Sequence, residues 1–231
     1  MRKMDRPGYQ LMEPTLRLNP KLRNYMNHGC LSVLDNKEFF RQYYKQAVDG
    51  DVLHEVAQGY GLSIDHGTHY PHCTYRNCLV ASALDDLGMP AKLVGRVILV
   101  VRTFPIRVGN LDGNSSGDFP LDSHETTWEE IYEAAGFPQE ERKPEYTTVT
   151  KRKRRVATPS FETLRMAALQ NDATESVVTF IEYLGWENRL AKSFAELNDR
   201  AYRYINLVEE TTGVPVIGIS TGPMHDQMIW R

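Results

Sequence analysis

Residues 63–78, SIDHGTHYPHCTYRNC, place three histidines and two cysteines within a short span. His66, His69 and His72 are spaced by three, and Cys73 and Cys78 follow. These are metal-ligand types, but a zinc site needs three or four side chains free to converge. The H-x2-H-x2-H spacing is not that of a zinc finger. On a strand, His66 and His72 would share a face and His69 would oppose them. No second cluster elsewhere in the chain completes a Cys/His set. A second reading is a polar loop with buried free cysteines. A third takes in Gln58, Asp65, Thr74 and Arg76 around the histidines. That inventory can grip a purine edge and a phosphate, with an amide for the base and a hydroxyl for the phosphate.

Two other stretches carry chemistry. Lys151–Arg155 reads KRKRR, and a net charge of −3 less these five positive charges is −8. Such a concentrated basic loop on an acidic chain points to a local anion site. A nucleic-acid footprint would spread over a face. Residues 109–126 form a long polar loop, GNLDGNSSGDFPLDSHET, of a kind often functional in compact domains.

The elements that must position these residues follow from local signals. The chain has 231 residues and 41% apolar content, enough for one large core or two small ones. Its longest aliphatic run, Val97–Val101, is too short to span a bilayer. The first thirty residues lack the apolar segment of a signal peptide. Three cysteines fit a reducing compartment, so a cytoplasmic protein is expected. Residues 1–35 read as an irregular segment and 36–231 as an α/β domain. Asp35 with Glu38 predicts a helix start, closed by Gly50. DVLHEVAQGYG predicts a short strand entering a glycine-rich turn. NCLVASALDDLGMP predicts a helix ended by Gly88 and Pro90. The β-branched run in AKLVGRVILVVRTFP predicts a strand buried on both faces.

Further along, Thr127 with Glu130 caps WEEIYEAAGF, and Ser160 caps FETLRMAALQ. KPEYTTVTKRKRRVATPS shows no periodicity. ESVVTFIEYL predicts a strand. Ser193 with Glu196 opens a long helix stopped by Gly213 and Pro215, and VPVIGISTGP predicts a final strand. Alternating strands and helices imply an α/β fold with a mostly parallel sheet flanked by helices. Ligands then sit beyond the carboxyl ends of strands. AQGYG, RTFPIRVGN and STGP are expected there.

At these residues the chain resembles the adenylosuccinate synthetases. AQGYGLSIDHGTHYP with its downstream threonine is similar to the family's central motif. RVG at 107–109, TTVTKRKRRVA and TGVPVIGISTGP follow in the family's order. The resemblance implies a ligase that phosphorylates the 6-oxygen of IMP with GTP and lets the aspartate amine displace phosphate. It implies that Gln58 holds the base of the monophosphate, Thr74 its 5′-phosphate and Val108 the ribose side. Thr150 and Arg152 would hold the aspartate carboxylates, as guanidinium pairs bidentately with carboxylate. Arg154 would lie near the triphosphate or the 6-phosphoryl group, with Lys153 and Arg155 as supporting charges. Ser220, Thr221, Gly222 and Glu182 would form the pocket for the triphosphate's base.

The likeness covers the C-terminal two-thirds of the family pattern. The family's phosphate loop, catalytic aspartate and catalytic histidine have no match here, and His28 does not fit the motif. The expectation is therefore a partial chain, with the phosphate loop and catalytic aspartate supplied by a separate or an upstream segment. Magnesium is implied by the family without ligands in this chain. Two further departures are VTKR at Val149–Arg152, for Thr-Thr-Gly-Arg, and Phe180-Ile181-Glu182, for the Lys-x-Asp that reads guanine. Both resemble the phage branch, which makes 2-aminoadenylosuccinate from dGMP and can use ATP. A non-catalytic nucleotide-binding remnant is the other alternative. The family also implies a homodimer with an arginine crossing to the partner's substrate, for which Arg17 and Arg23 are candidates by position. No membrane and no nucleic acid are expected as partners.

Overall fold

The β-branched runs pair into one four-stranded sheet, and the rest of the fold is arranged around it. The computed structural model describes residues 36–67, 69–110 and 115–231. The described residues divide into two compact units, residues 36–54 with 87–89, and residues 55–86 with 90–231.

The first unit contains helix α1 (Asn36–Asp49). Arg41 pairs with Glu38 at 2.8 Å, and the Gly50 amide closes the helix on the Gln46 carbonyl at 2.9 Å. Asp35, the expected cap, and the boundary expected at residue 35 lie at or beyond the edge of the described residues.

In the second unit, helix α2 starts at Val80 (Val80–Leu87), and the Val80 amide donates to the buried Asn171 side chain at 2.9 Å. The main sheet has the order β1 (Ile98–Arg102), β5 (Glu175–Thr179), β6 (Val216–Ser220) and β7 (Met228–Trp230). The β1–β5 and β5–β6 pairs are parallel, and β6–β7 is antiparallel. A small antiparallel sheet sets β4 (Arg155–Ala157) between β2 (Ile106–Arg107) and β3 (Glu125–Thr126). The mostly parallel sheet flanked by helices is the expected α/β architecture. The antiparallel sheet and β7 were not anticipated, because two- and three-residue strands leave no periodicity to read.

Helix α3 (Trp128–Ala134) begins with a full capping box between Thr127 and Glu130, as read from sequence. Helix α4 (Phe161–Asn171) is capped by Ser160 as expected. Helix α5 (Asp199–Thr212) buries Ala201, Tyr204, Ile205 and Val208, a stripe at helical spacing, and joins the core of Val101, Val178, Val216 and Ile219. Aromatic packing closes the other end of this core. Trp128 stacks on Tyr132 at 6.0 Å and meets Tyr183 edge-on at 5.9 Å. No described helix is long and apolar enough to cross a membrane.

Four expectations are corrected. DVLHEVAQGYG forms no strand; it runs irregularly into a short 3-10 turn, Tyr60–Leu62. No described strand pairs with it. The β1 strand is not buried on both faces: Val100 is 74% exposed. The ESVVTFIEYL strand stops at Thr179, because Phe180 takes the left-handed conformation at φ 61° and opens a 3-10 turn, Ile181–Leu184. The long helix starts at Asn198 rather than Ser193, since the Asn198 side chain accepts from the Ala201 amide at 2.8 Å. Ser193 and Glu196 instead bond to each other at 2.9 Å ahead of it.

Candidate functional site

The histidine-rich segment is a closed loop zipped at its base. The Ile64 amide donates to the Tyr75 carbonyl and the Thr74 amide to the Leu62 carbonyl, both at 2.8 Å. Gly67 turns the loop tightly: a Cβ there would lie 2.3 Å from the Ser63 carbonyl. The zip brings Thr74 back to Gln58, and the Thr74 hydroxyl donates to the Gln58 amide oxygen at 3.3 Å. Gln58 holds a left-handed φ of 64°. His66 stacks on Tyr60 at 5.6 Å, and its Nε2 is buried with no hydrogen-bond partner. Asp65 and Arg76 are engaged elsewhere, Asp65 by Asn77 at 3.0 Å and Arg76 by Ser82 at 3.1 Å. Among the described residues no group of three His, Cys, Asp or Glu side chains could hold a metal ion.

Arg107 ties this loop to the next. It is 8% exposed, and its Nη2 donates to the carbonyls of His72 at 3.0 Å and Ser116 at 2.9 Å. Arg155, its partner in register across β2 and β4, reaches the same loop through the Gly117 carbonyl at 2.6 Å. Gly117 sits at φ +90°, where a Cβ would strike Arg107 Nη2 at 2.6 Å. The other fork of Arg155 grips Glu125, whose carboxyl is thereby held below the usual range. Burial, with Arg155 beside it, lowers the Arg107 guanidinium from its ordinary value.

The basic run folds as a tight excursion. The Thr147 amide donates to the Arg152 carbonyl, and the Arg152 amide to the Thr147 hydroxyl, both at 2.9 Å. The Thr147 and Thr150 hydroxyls lie 2.6 Å apart. Lys151 takes φ 52°, and Thr150, Arg152 and Lys153 are exposed at the tip. The RVG segment lies directly against it: a Cβ on Gly109 would lie 2.4 Å from the Lys153 carbonyl and 3.7 Å from Arg152 Cβ. Val108, Arg152 and the histidine loop are thus gathered around β2 and β4. Arg154 turns inward, with its carbonyl accepting from the Trp128 indole at 2.8 Å and its Nε buried without a partner.

The residues expected to receive the triphosphate's base form a second group. Residues 188–191 bracket it: the Asn188 side chain donates to the Ile181 carbonyl at 3.3 Å and the Leu190 amide to the Thr221 carbonyl at 2.9 Å. Thr221 is fully buried, and its hydroxyl is spent on the Ala191 carbonyl at 3.1 Å. Ser220 bonds to the Gly222 carbonyl at 3.0 Å. Phe180 is not an open stacking surface. Arg102 covers its ring at 3.7 Å, and Tyr183 stacks against it at 5.5 Å. Arg102 also forms an ion pair with Glu145, so a cation stands beside residue 180 although that side chain carries none.

Glu182 Oε2 is buried without a partner. Burial pushes its carboxyl above the ordinary value of 4.5, against the pull of Arg102 and Arg189. A raised carboxyl favours the folded state below its ordinary value, and that contribution is lost as pH rises through the folded value. Glu182→Gln, which mimics the protonated acid, is expected to melt above the parent near neutral pH. The gap should close on acidification toward 4.5. Melting curves across this range check it, and a pH-independent gap would contradict the cause.

Buried polar groups are nearly always paired. His66 Nε2, Arg154 Nε and Glu182 Oε2 are the orphans among the described residues, and each lies in a stretch singled out from sequence. Left-handed Gln58, Lys151 and Phe180 lie in or beside the same stretches, and such backbone strain collects at functional sites. Sequence reasoning missed Arg107 and did not separate His66 from its neighbours. The only local signal for Arg107 was its place at the head of RVG. Arg17, Arg23 and His28 lie outside the described residues.

A family model described as Adenylosuccinate synthetase matches residues 10–184 and 160–229. The adenylosuccinate synthetase of Methanocaldococcus jannaschii is 38% identical over 179 residues, 78% of this chain and 47% of that protein. That of Archaeoglobus fulgidus is 33% identical over 217 residues, 91% of this chain and 55% of that protein. The N6-succino-2-amino-2′-deoxyadenylate synthase of Vibrio phage phiVC8 is 39% identical over 140 residues, 59% of this chain and 37% of that protein. The structure of the cyanophage S-2L succinoaminodeoxyadenylate synthetase, bound to dGMP and to dATP as energy donor, superposes with a TM-score of 0.72 at 28% identity. It covers 94% of this chain and 54% of that one. The adenylosuccinate synthetase of Plasmodium falciparum shares the fold, with a TM-score of 0.69 at 21% identity over 96% of this chain and 62% of that one. The chain spans about half the length of the curated relatives it matches.

Proposed function

Because the chain belongs to the adenylosuccinate synthetase family, we propose that it supplies the nucleotide and aspartate contacts of a purine-nucleotide ligase. The reaction joins L-aspartate to a 6-oxopurine nucleoside monophosphate, IMP in the cellular version, with hydrolysis of a nucleoside triphosphate. The observation that supports this most is the set of orphaned polar atoms on His66, Arg154 and Glu182. A bound nucleotide can satisfy them, and no hydrogen bond among the described residues does.

In this reading Gln58 and Thr74 act as a pair, the amide on the base and the hydroxyl on the 5′-phosphate. Their mutual hydrogen bond at 3.3 Å holds both ready and is exchanged for substrate. Val108 borders the ribose. Arg152, exposed at the loop tip, takes the aspartate carboxylate, with Thr150 beside it. Arg154 faces the phosphoryl group passing to the 6-oxygen, where added positive charge stabilises the transition state. Transfer of that group makes the 6-oxygen a good leaving group for the attacking amine. Ser220, Gly222, the Thr221 backbone and Glu182 receive the base of the triphosphate.

A second reading, the phage-type reaction on dGMP with ATP, is favoured by Phe180 at the position where the resemblance places a guanine-reading lysine. It is favoured also by the likeness to the phiVC8 and S-2L synthases. Calorimetric titration of the chain with IMP and with dGMP separates the two readings, and failure to bind either would overturn both. Arg152→Ala is expected to weaken L-aspartate binding in the nucleotide complex by about tenfold or more, the worth of a charge-assisted pair. Monophosphate affinity should stay within about twofold, because exposed substitutions away from a contact do little. Equal loss of both ligands would remove the role given to Arg152.

A further inference from the structure

The basic run is carried on a hairpin. Residues 145–147 run antiparallel to 152–154, with Tyr146 facing Lys153. The Arg154 amide donates to the Glu145 carbonyl at 2.8 Å, and the Thr147 amide to the Arg152 carbonyl at 2.9 Å. Both roots are tied to helix α3. The Lys143 carbonyl accepts from the Tyr132 hydroxyl at 2.5 Å, and the Arg154 carbonyl from the Trp128 indole at 2.8 Å. Further out, Thr147, Thr150, Lys151 and Arg152 hydrogen-bond only to one another among the described residues. An isolated two-stranded hairpin is marginal in water, so the arms need an anchor between root and tip.

Glu145 stands where that anchor is needed. Its carboxylate accepts from Arg102 Nη2, and from the Tyr183 hydroxyl at 3.1 Å. Burial and the Glu145 charge push the Tyr183 hydroxyl far above its ordinary value, so it remains a donor. Arg102 is fixed in turn. It ends β1 in register with Thr179, its Nε donates to the Phe104 carbonyl at 2.7 Å, and its guanidinium covers the Phe180 ring. The two side chains of the pair are 19% and 22% exposed. An ion pair so far withdrawn from water adds little net stability, because desolvation offsets the attraction. What it fixes is geometry, since charge-assisted hydrogen bonds are short and directional. We propose that Arg102 and Glu145 are positioning residues, whose ion pair clamps the 145–154 hairpin to the carboxyl end of β1 in the arrangement that presents Arg152 to L-aspartate. The aspartate part of this inference rests on the role proposed above for Arg152; the ordering of the hairpin does not.

Hydrogen exchange on the full chain without ligand tests the ordering. Glu145→Ala should speed exchange of the Thr147, Lys151, Arg152 and Arg154 amides by about tenfold or more, the worth of a hydrogen bond from a charged donor. The Ile64 and Thr74 amides of the histidine loop should keep their protection. L-aspartate affinity in the nucleotide complex should fall by about tenfold in parallel, with monophosphate affinity held within about twofold. Glu145→Gln keeps the shape and the acceptor, and should bring both readouts to within about threefold of the parent. Because Glu145→Ala leaves Arg102 without its carboxylate, Arg102→Met/Glu145→Gln removes the pair without stranding a charge. This double variant should melt near the parent and still lose hairpin protection and aspartate affinity. Unchanged exchange in it would overturn the proposal, because the two ties to α3 would then hold the hairpin unaided. Protection lost throughout the chain would overturn it too, since the pair would then serve the whole fold. So would a loosened hairpin that binds L-aspartate as tightly as before. If the parent chain binds no L-aspartate, the role given to Arg152 fails, and hydrogen exchange still decides whether the pair sets the hairpin.

Discussion

Trp128→Ala is expected to cost about 3–5 kcal/mol of folding stability, the range for a buried tryptophan cut back to a methyl group. Trp128 is 1% exposed and lies between Tyr132 and Tyr183. Its indole N–H also holds the Arg154 carbonyl, so the truncation both opens a cavity and frees the root of the basic loop. A loss of that size is a large part of a domain's total stability. Urea unfolding of the two proteins measures it. Trp128→Phe separates the causes, because it keeps most of the packing and leaves only the carbonyl unpaired, at about 1–3 kcal/mol. If Phe costs as much as Ala, the hydrogen bond and not the cavity dominates. If neither costs more than about 1 kcal/mol, the aromatic cluster does not hold that end of the core together.

Arg107→Ala is expected to act on fold and site together. One guanidinium supplies the donors for the His72 and Ser116 carbonyls, and hydrogen bonds from a charged donor are worth about 1.5–3 kcal/mol each. Since the two share one side chain, a net loss of about 2–3 kcal/mol is expected. The histidine loop should then exchange its amide hydrogens faster at residues 72–75, next to Thr74. Monophosphate affinity should fall by about tenfold or more, at the rate of 1.4 kcal/mol per decade. Arg107→Lys should rescue little, because an ammonium lacks the planar fork that spans two carbonyls. Unchanged exchange at 72–75 would mean that the backbone zip between residues 62–65 and 74–76 holds the loop unaided.

What could be read from the residues alone was whatever is decided over a few positions. The capping box at Thr127 and Glu130 and the cap at Ser160 are of this kind, since a cap is a contract between side chain and backbone three residues apart. The alternation of elements gave the fold class, and motifs in a fixed order identified the family. The readings that failed are those in which a neighbour distant in sequence decides. A β-branched run does not say whether both of its faces will be covered, and the strand Ile98–Arg102 leaves Val100 exposed on one of them. DVLHEVAQGYG has the composition of a strand but no partner to pair with. ESVVTFIEYL ends early because of one left-handed residue, Phe180.

The site divides in the same way. Sequence determined the residue types, Gln58, Thr74, Arg152, Arg154 and Glu182, and their order along the chain. Only the tertiary structure decided that Arg107 would bind two loops together and that Arg102 would place a charge over Phe180. It also turned the Thr221 hydroxyl inward, and it left His66, Arg154 and Glu182 each with a buried atom that no described residue pairs. Burial and hydrogen-bond pairing are properties of the whole packed arrangement. They are settled when distant segments meet, and no single stretch of sequence contains them.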